Sequence, residues 1–261
     1  MHKTIELFAN TEPQMLALAL VAGIAPAIVW LFFWLREDRL HPEPRSLITL
    51  SFLVGMLATS IAYPAEHWFA NFIVKKFTFV DEYTLLFFWS AIEETLKYVG
   101  VGIIALRTQF FDEPIDAVIY FVTIALGFAA LENAMFLLNP VSQGDLWGAL
   151  LLGNFRFIGS TVLHVAASAI VGIALAFSFY ERKLERALAG ATGLAGAITL
   201  HALFNFSIMA SEGRQEVIMG VFIVLWSVII LILFLCEYAK LLSPRSHVEH
   251  PHTGMTRYIP Q

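Results

Sequence analysis

Two adjacent carboxylates and a lysine, Glu93, Glu94 and Lys97, stand inside a stretch of chain otherwise fit for lipid. An ionisable group at bilayer depth costs about 2.5–3.5 kcal/mol on insertion scales, so it turns inward to a partner or a wet cavity and is a functional candidate. Further groups of this kind follow: Asp116 and Tyr120, Glu132 and Asn133, Arg156, Ser160 and His164, then His201 and Asn205. A Glu with two His is a ligand set for catalytic zinc that leaves one position open to water, and a further Glu can serve as general base. Glu132, His164 and His201 are the candidate ligands, with Glu94 or Glu93 as base or extra ligand. The same residue types also suit a metal-free hydrolysis, in which a Glu and a His polarise water while a second His and Asn205 bind the oxyanion. The sequence leaves both versions open; a divalent ion, zinc, is the expectation.

Spacing divides the labour. Glu93 and Lys97 are four apart and Glu94 and Lys97 three apart, so on a helix Lys97 neutralises one carboxylate and leaves the other free. Adjacent helical positions differ by about 100°, so Glu93 and Glu94 point along different vectors and have different jobs. His201 and Asn205, four apart, share a face, as do Ser160, His164 and Ser168. Lys97, Asp116, Asn133 and Arg156 form a supporting set. For three of these a structural role competes: Asp116 suits the dipole of a first helical turn, Asn133 a bond between helices, and Arg156 the headgroup layer.

The elements that must position these groups are transmembrane helices. The chain has 261 residues, 58% of them hydrophobic and 14% charged, and its mean hydropathy of +0.72 is that of an integral membrane protein. Seven segments, near 14–35, 47–65, 83–106, 115–138, 154–180, 187–210 and 217–241, reach the roughly 20 residues a span needs. The expected fold is an all-α polytopic bundle, residues 1–242 forming one membrane domain and 243–261 a flexible cytoplasmic tail. Spans 3–6 share the polar catalytic cavity, and spans one, two and seven form an apolar jacket. The first span lacks a cleavage-site pattern and reads as retained. Residues 66–82, where Trp68, Phe69, Phe72 and Phe77 alternate with polar residues, suggest an interfacial helix on the outer leaflet. Gly190, Gly193 and Gly196 give the sixth span a face for close packing. Lys and Arg in alternate connections place the N-terminus outside and the C-terminus in the cytoplasm. Net charge is −5 with no basic patch, which excludes a nucleic-acid partner. The single cysteine, Cys236, excludes an internal disulfide and a cysteine-rich metal site.

Taken in order, the motifs carry a resemblance. Asp38 with Pro42-Glu43-Pro44, Glu93-Glu94-x-x-Lys97, Asp116 with Tyr120, Gly127-Phe128-Ala129-x-x-Glu132-Asn133, Arg156 with His164, and His201-x-x-Phe204-Asn205 each fall on their expected segment. The chain resembles the PrsW intramembrane proteases, relatives of the CAAX prenyl endopeptidase and bacteriocin-immunity (CPBP/Abi) superfamily. The resemblance implies a peptidase whose active site lies within the bacterial inner membrane, built from the Glu-Glu pair, the Phe-x-x-x-Glu motif ending at Glu132, and the two histidines. It implies lipid-embedded, membrane-spanning substrates such as anti-sigma factors, cut near their extracytoplasmic side. A proton- or ion-coupled transporter is the alternative, since buried carboxylates with Lys and His also build relays. A silent scaffold that sequesters a single-span partner is a third reading.

Overall fold

The computed structural model describes residues 11–37, 41–77 and 80–243. Asp38 and the tail from 244 onward lie outside the described residues. Everything regular among the described residues is helical: α1 (Pro13–Trp34), α2 (Arg45–Lys76), α3 (Glu82–Ile104), α4 (Pro114–Ser142), α5 (Leu146–Phe155), α6 (Thr161–Phe177), α7 (Lys183–Ala210) and α8 (Gln215–Leu241). A π-helical turn, Arg156–Ser160, joins α5 to α6 into one run, Leu146–Phe177. That run and α1, α2, α4, α7 and α8 are each long and apolar enough to cross a membrane. The remaining long helix, α3, has 23 residues and carries Glu93, Glu94 and Lys97.

The bundle is organised around α4. Every residue from Glu113 to Ala130 is buried, so this stretch of the helix has no outward face, and a helical stretch apolar all round belongs in an interior. α1, α2 and α6 wrap it. Without a hydrophobic force between helices in lipid, such packing depends on close backbone approach. Gly55 of α2 and Gly127 of α4 provide it where the two helices cross. A Cβ on Gly55 would lie 2.0 Å from the Ile124 carbonyl oxygen, and one on Gly127 would lie 1.9 Å from that of Phe52. On the outside of the bundle, Phe32, Ile103 and Phe234 are 68–70% exposed, as lipid-facing side chains should be.

Two sequence expectations need correction. Among the described residues of 66–82 no separate interfacial helix forms, because α2 runs unbroken to Lys76 over 32 residues with Pro64 inside it. One missing N–H is tolerated in a membrane helix, where neighbours resatisfy the freed carbonyl. Second, α2 is not part of an apolar jacket: its extended half carries Glu66 into the polar cavity.

α3 is aimed by its cap. The Asp81 carboxylate accepts the Thr84 N–H at 2.8 Å, and hydrogen bonds from Thr84 hold its carboxyl below the usual carboxylate range. At 1.5 Å per residue, Glu93 and Glu94 then lie about 18–20 Å beyond the cap residue.

Candidate active site

A cavity of about 1130 Å³ opens between α2, α3, α4, the α5–α6 run with its π-turn, α7 and α8. Glu93, Glu132, Arg156, His164, His201 and Asn205 all line it. Glu94 and Lys97 lie behind that surface, 2% and 1% exposed.

The buried lysine orders the site. Lys97 Nζ donates to Glu94 Oε1 at 2.7 Å and to His164 Nδ1 at 2.7 Å, and stands 4.3 Å from the centre of the Phe128 ring. An ammonium has donors and no acceptor, so His164 Nδ1 accepts and the ring proton sits on Nε2. From there it donates to Glu132 Oε2 at 2.9 Å. His201 is set the opposite way. Its Nδ1 lies 2.7 Å from Glu94 Oε1, and since that carboxylate oxygen can only accept, Nδ1 carries the proton. His201 Nε2 keeps its lone pair and faces Glu93 Oε2 at 3.9 Å.

The two adjacent glutamates are therefore unlike. Glu94 takes Lys97 and His201 on a single oxygen and has no place in the cavity lining. Glu93 Oε2 is buried, makes no hydrogen bond, and stands 4.0 Å from Lys97 Nζ and 3.9 Å from both His164 Nδ1 and His201 Nε2. A buried acceptor without a partner is costly, and at a polar cavity it marks a place for a ligand or a reacting group.

Glu132 belongs to a second half of the site. It accepts from Arg156 at 2.5 Å, and Ser160 Oγ lies 3.4 Å away. Arg156 Nε donates to Asn133 Oδ1 at 2.6 Å, Asn133 Nδ2 donates to Thr161 Oγ1 at 2.9 Å, and the guanidinium lies over Phe136. Arg156 thus turns inward rather than to the headgroups. Asn205 Nδ2 has one long bond, 3.4 Å to Ser90 Oγ.

For a metal ion, Glu93, Glu94, His164 and His201 each offer an atom, all within 4.8 Å of one another. This group differs from the Glu132, His164 and His201 set suggested by residue type, because Arg156 occupies Glu132. Carboxylate oxygen and imidazole nitrogen are the donors zinc takes, and the unpartnered Glu93 oxygen beside the free His201 Nε2 fits such a group.

One expected supporting residue lies elsewhere. Asp116 is at the other end of α4, about 24 Å from Glu132 along the helix. There it accepts the main-chain N–H groups of Asp112 at 2.9 Å and Glu113 at 2.6 Å, completing a capping box. Tyr120 bonds Glu43 beside it. Two further cavity residues, Glu66 and Trp89, stand outside the motifs. Glu66 stands seven positions after Thr59 and three after Tyr63, all lining the cavity, and that helical spacing is the signal that would have found it. Trp89, one turn before Glu93, also lines the cavity, and its indole N–H is buried without an acceptor.

Comparison with known proteins identifies the family. A family model described as "PrsW family intramembrane metalloprotease" matches residues 43–234. Among curated proteins, "Protease PrsW" of Geobacillus kaustophilus is 28% identical over 208 residues, covering 78% of this chain and 86% of the relative. "Protease PrsW" of Clostridioides difficile is 27% identical over 79% of this chain and 86% of its own length, and that of Bacillus subtilis 24% over 78% and 89%. No solved structure gives a significant match. With the matched region spanning α2 to α8 and containing the whole cavity, the chain belongs to the PrsW family of intramembrane metalloproteases.

Proposed function

We propose that this chain hydrolyses a peptide bond of a membrane-anchored protein, with the attacking water placed between Glu93 and His201. The observation that carries this is the Glu93 Oε2 atom, a buried carboxylate oxygen without a hydrogen bond, facing the lone pair of His201 Nε2 across 3.9 Å at the cavity wall. Water oxygen adds to the peptide carbonyl carbon, its proton passes to the carboxylate, and the same proton goes to the leaving nitrogen as the C–N bond breaks. Glu94 fixes the tautomer of His201, as carboxylates do behind ligating or basic imidazoles. Lys97 donates to the same Glu94 oxygen and so gives that buried carboxylate a second partner. Asn205, one turn from His201, and the unpartnered Trp89 indole N–H are donors for substrate carbonyl oxygens. Glu93 and His201, the two groups left with an open lone pair, would hold a zinc ion, which when bound lowers the pKa of a coordinated water towards neutrality.

The cavity, about 1130 Å³, exceeds the 300–1,000 Å³ typical of small-ligand pockets, which supports a peptide segment as its occupant. Its lining is polar towards Glu66, Glu93 and Glu132 and apolar towards Phe204, Ile208 and Phe222, suiting a single-span protein of the anti-sigma-factor kind that enters from lipid. In this reading the chain sits in a bacterial cytoplasmic membrane with its N-terminus outside, and cuts near the outer side. Cleavage of a labelled single-span substrate in proteoliposomes, alongside elemental analysis of the purified protein, tests the proposal. The parent should cleave and carry one zinc per chain, and His201→Ala should lose both. Parental cleavage by His201→Ala would overturn the site, and full activity in zinc-free protein would overturn the metal.

A further inference from the structure

Arg156 and His164 converge on one oxygen, Glu132 Oε2, at 2.5 and 2.9 Å. They are eight residues apart, and in an unbroken α-helix eight residues turn two side chains about 80° away from each other. The π-turn resolves this. Its closing bond runs from the Thr161 N–H to the Arg156 carbonyl, five residues back, so the turn absorbs one residue of rotation. The remaining seven bring Arg156 within about 20° of His164, onto the same face.

A wide turn has a poorer ladder than an α-helix and persists only where its surroundings support it. Here the support comes from α8. The Trp226 indole N–H donates to the Ile158 carbonyl, inside the turn, at 3.1 Å. One helical turn earlier, Phe222 closes on Gly159, where a Cβ would come within 2.7 Å of its ring. Trp226 itself is braced against Trp30 of α1, ring centres 5.7 Å apart, and takes no part in lining the cavity.

We propose that α8 sets the register of the active site: Trp226 is a positioning residue that holds the π-turn open and, through it, keeps Arg156 on Glu132 beside His164. The proposal rests on the reading that Glu132 and His164 belong to the catalytic site. Its content is distinct, because it assigns a role to a residue that meets neither substrate nor metal.

A double-mutant cycle tests it, using the full chain and the proteoliposome cleavage assay. Trp226→Phe keeps an aromatic ring against Trp30 and removes the donor, and should lower kcat by about tenfold with little change in KM. Deleting Ile158 lets the segment close as a regular α-helix in which Arg156 and His164 are seven apart and still in phase. That variant should keep roughly a third or more of kcat, and adding Trp226→Phe to it should cost nothing further. Equal losses from Trp226→Phe in both backgrounds would mark Trp226 as mere packing and overturn the proposal, as would unchanged kcat in Trp226→Phe alone. If the deletion variant does not fold, Gly159→Ala supplies the test. It should lower kcat with little change in KM, because the added Cβ meets the Phe222 ring and shifts the turn; unchanged kcat also overturns the proposal. Arg156→Ala is the reference for the underlying reading: if it cleaves at the parental rate, the site assignment fails, whereas loss in Arg156→Ala with no effect of Trp226→Phe sinks the register alone.

Discussion

The two ends of α4 both carry buried acids, and they are built to opposite ends. At its start Asp116 has a single oxygen filled by two main-chain N–H groups, while Tyr120 bonds Glu43 and His41 Nδ1 lies 3.3 Å from Glu113. Towards its other end, Glu132 faces a cavity across from Glu93, whose Oε2 is left without any hydrogen bond. Each cluster is expensive in an apolar surround, but only the second leaves lone pairs unspent. Buried polar groups that satisfy one another fix a structure, and those that do not are held for something that arrives. Residue type does not separate the two cases. Accounting for every acceptor does.

The sharpest contrast concerns the idle oxygen. Glu93→Gln removes a proton acceptor while leaving no partner stranded, so cleavage should fall by about 10²-fold or more with thermal stability unchanged. Measuring turnover and the melting temperature on one preparation checks both halves. A large loss of stability would mean Glu93 is as structural as Asp116, and the comparison between the two ends would collapse.

Lys97→Met comes next, and it should strike fold and activity together. With Lys97 1% exposed and Glu94 2% exposed, the variant strands a buried carboxylate, a loss of about 3–5 kcal/mol where one partner of a buried pair is removed. The double variant Lys97→Met with Glu94→Gln should recover most of that stability while remaining inactive, since His164 loses its donor and His201 meets an amide that can either accept from or donate to Nδ1, so neither proton is fixed any longer. Recovery of turnover in the double variant would show that those two tautomers do not matter to the chemistry.

How far the sequence foretold this follows from which physics is local. The helices were legible because long apolar runs have few alternatives in lipid, and the different vectors of Glu93 and Glu94 followed from 100° of rotation. Lys97, three and four residues on, was bound to reach one of them, and the structure shows it 2.7 Å from Glu94 and 4.0 Å from Glu93. Glu66 was hidden by Pro64 and by aromatic neighbours that mimic an interfacial segment; only packing of α2 against α3 and α4 shows that the helix continues. The π-turn was hidden because nothing in Arg-Phe-Ile-Gly-Ser dictates it; its visible support, the Trp226 bond, comes from 68 residues away. Asp116 illustrates the limit: sequence places a residue on a helix without telling which polar cluster at which end it joins.

Asp116→Ala gives the smallest effect and closes the comparison from the other side. The variant removes an acceptor from the Asp112 and Glu113 main-chain N–H groups, the kind of loss that costs about 1 kcal/mol when a helix cap is truncated. For a domain of 150–250 residues that lowers the melting temperature by about 2–4 °C. Because the capping box lies about 24 Å along α4 from Glu132, turnover per folded molecule should stay at the parental value. Measuring kcat on the folded fraction below the melting transition checks this. A kcat loss comparable to that of Glu93→Gln would mean the two clusters communicate through α4, which is buried along its length between them and gripped at the Gly55 and Gly127 crossing, so that a shift at its first turn would be carried to Glu132 as a rigid displacement.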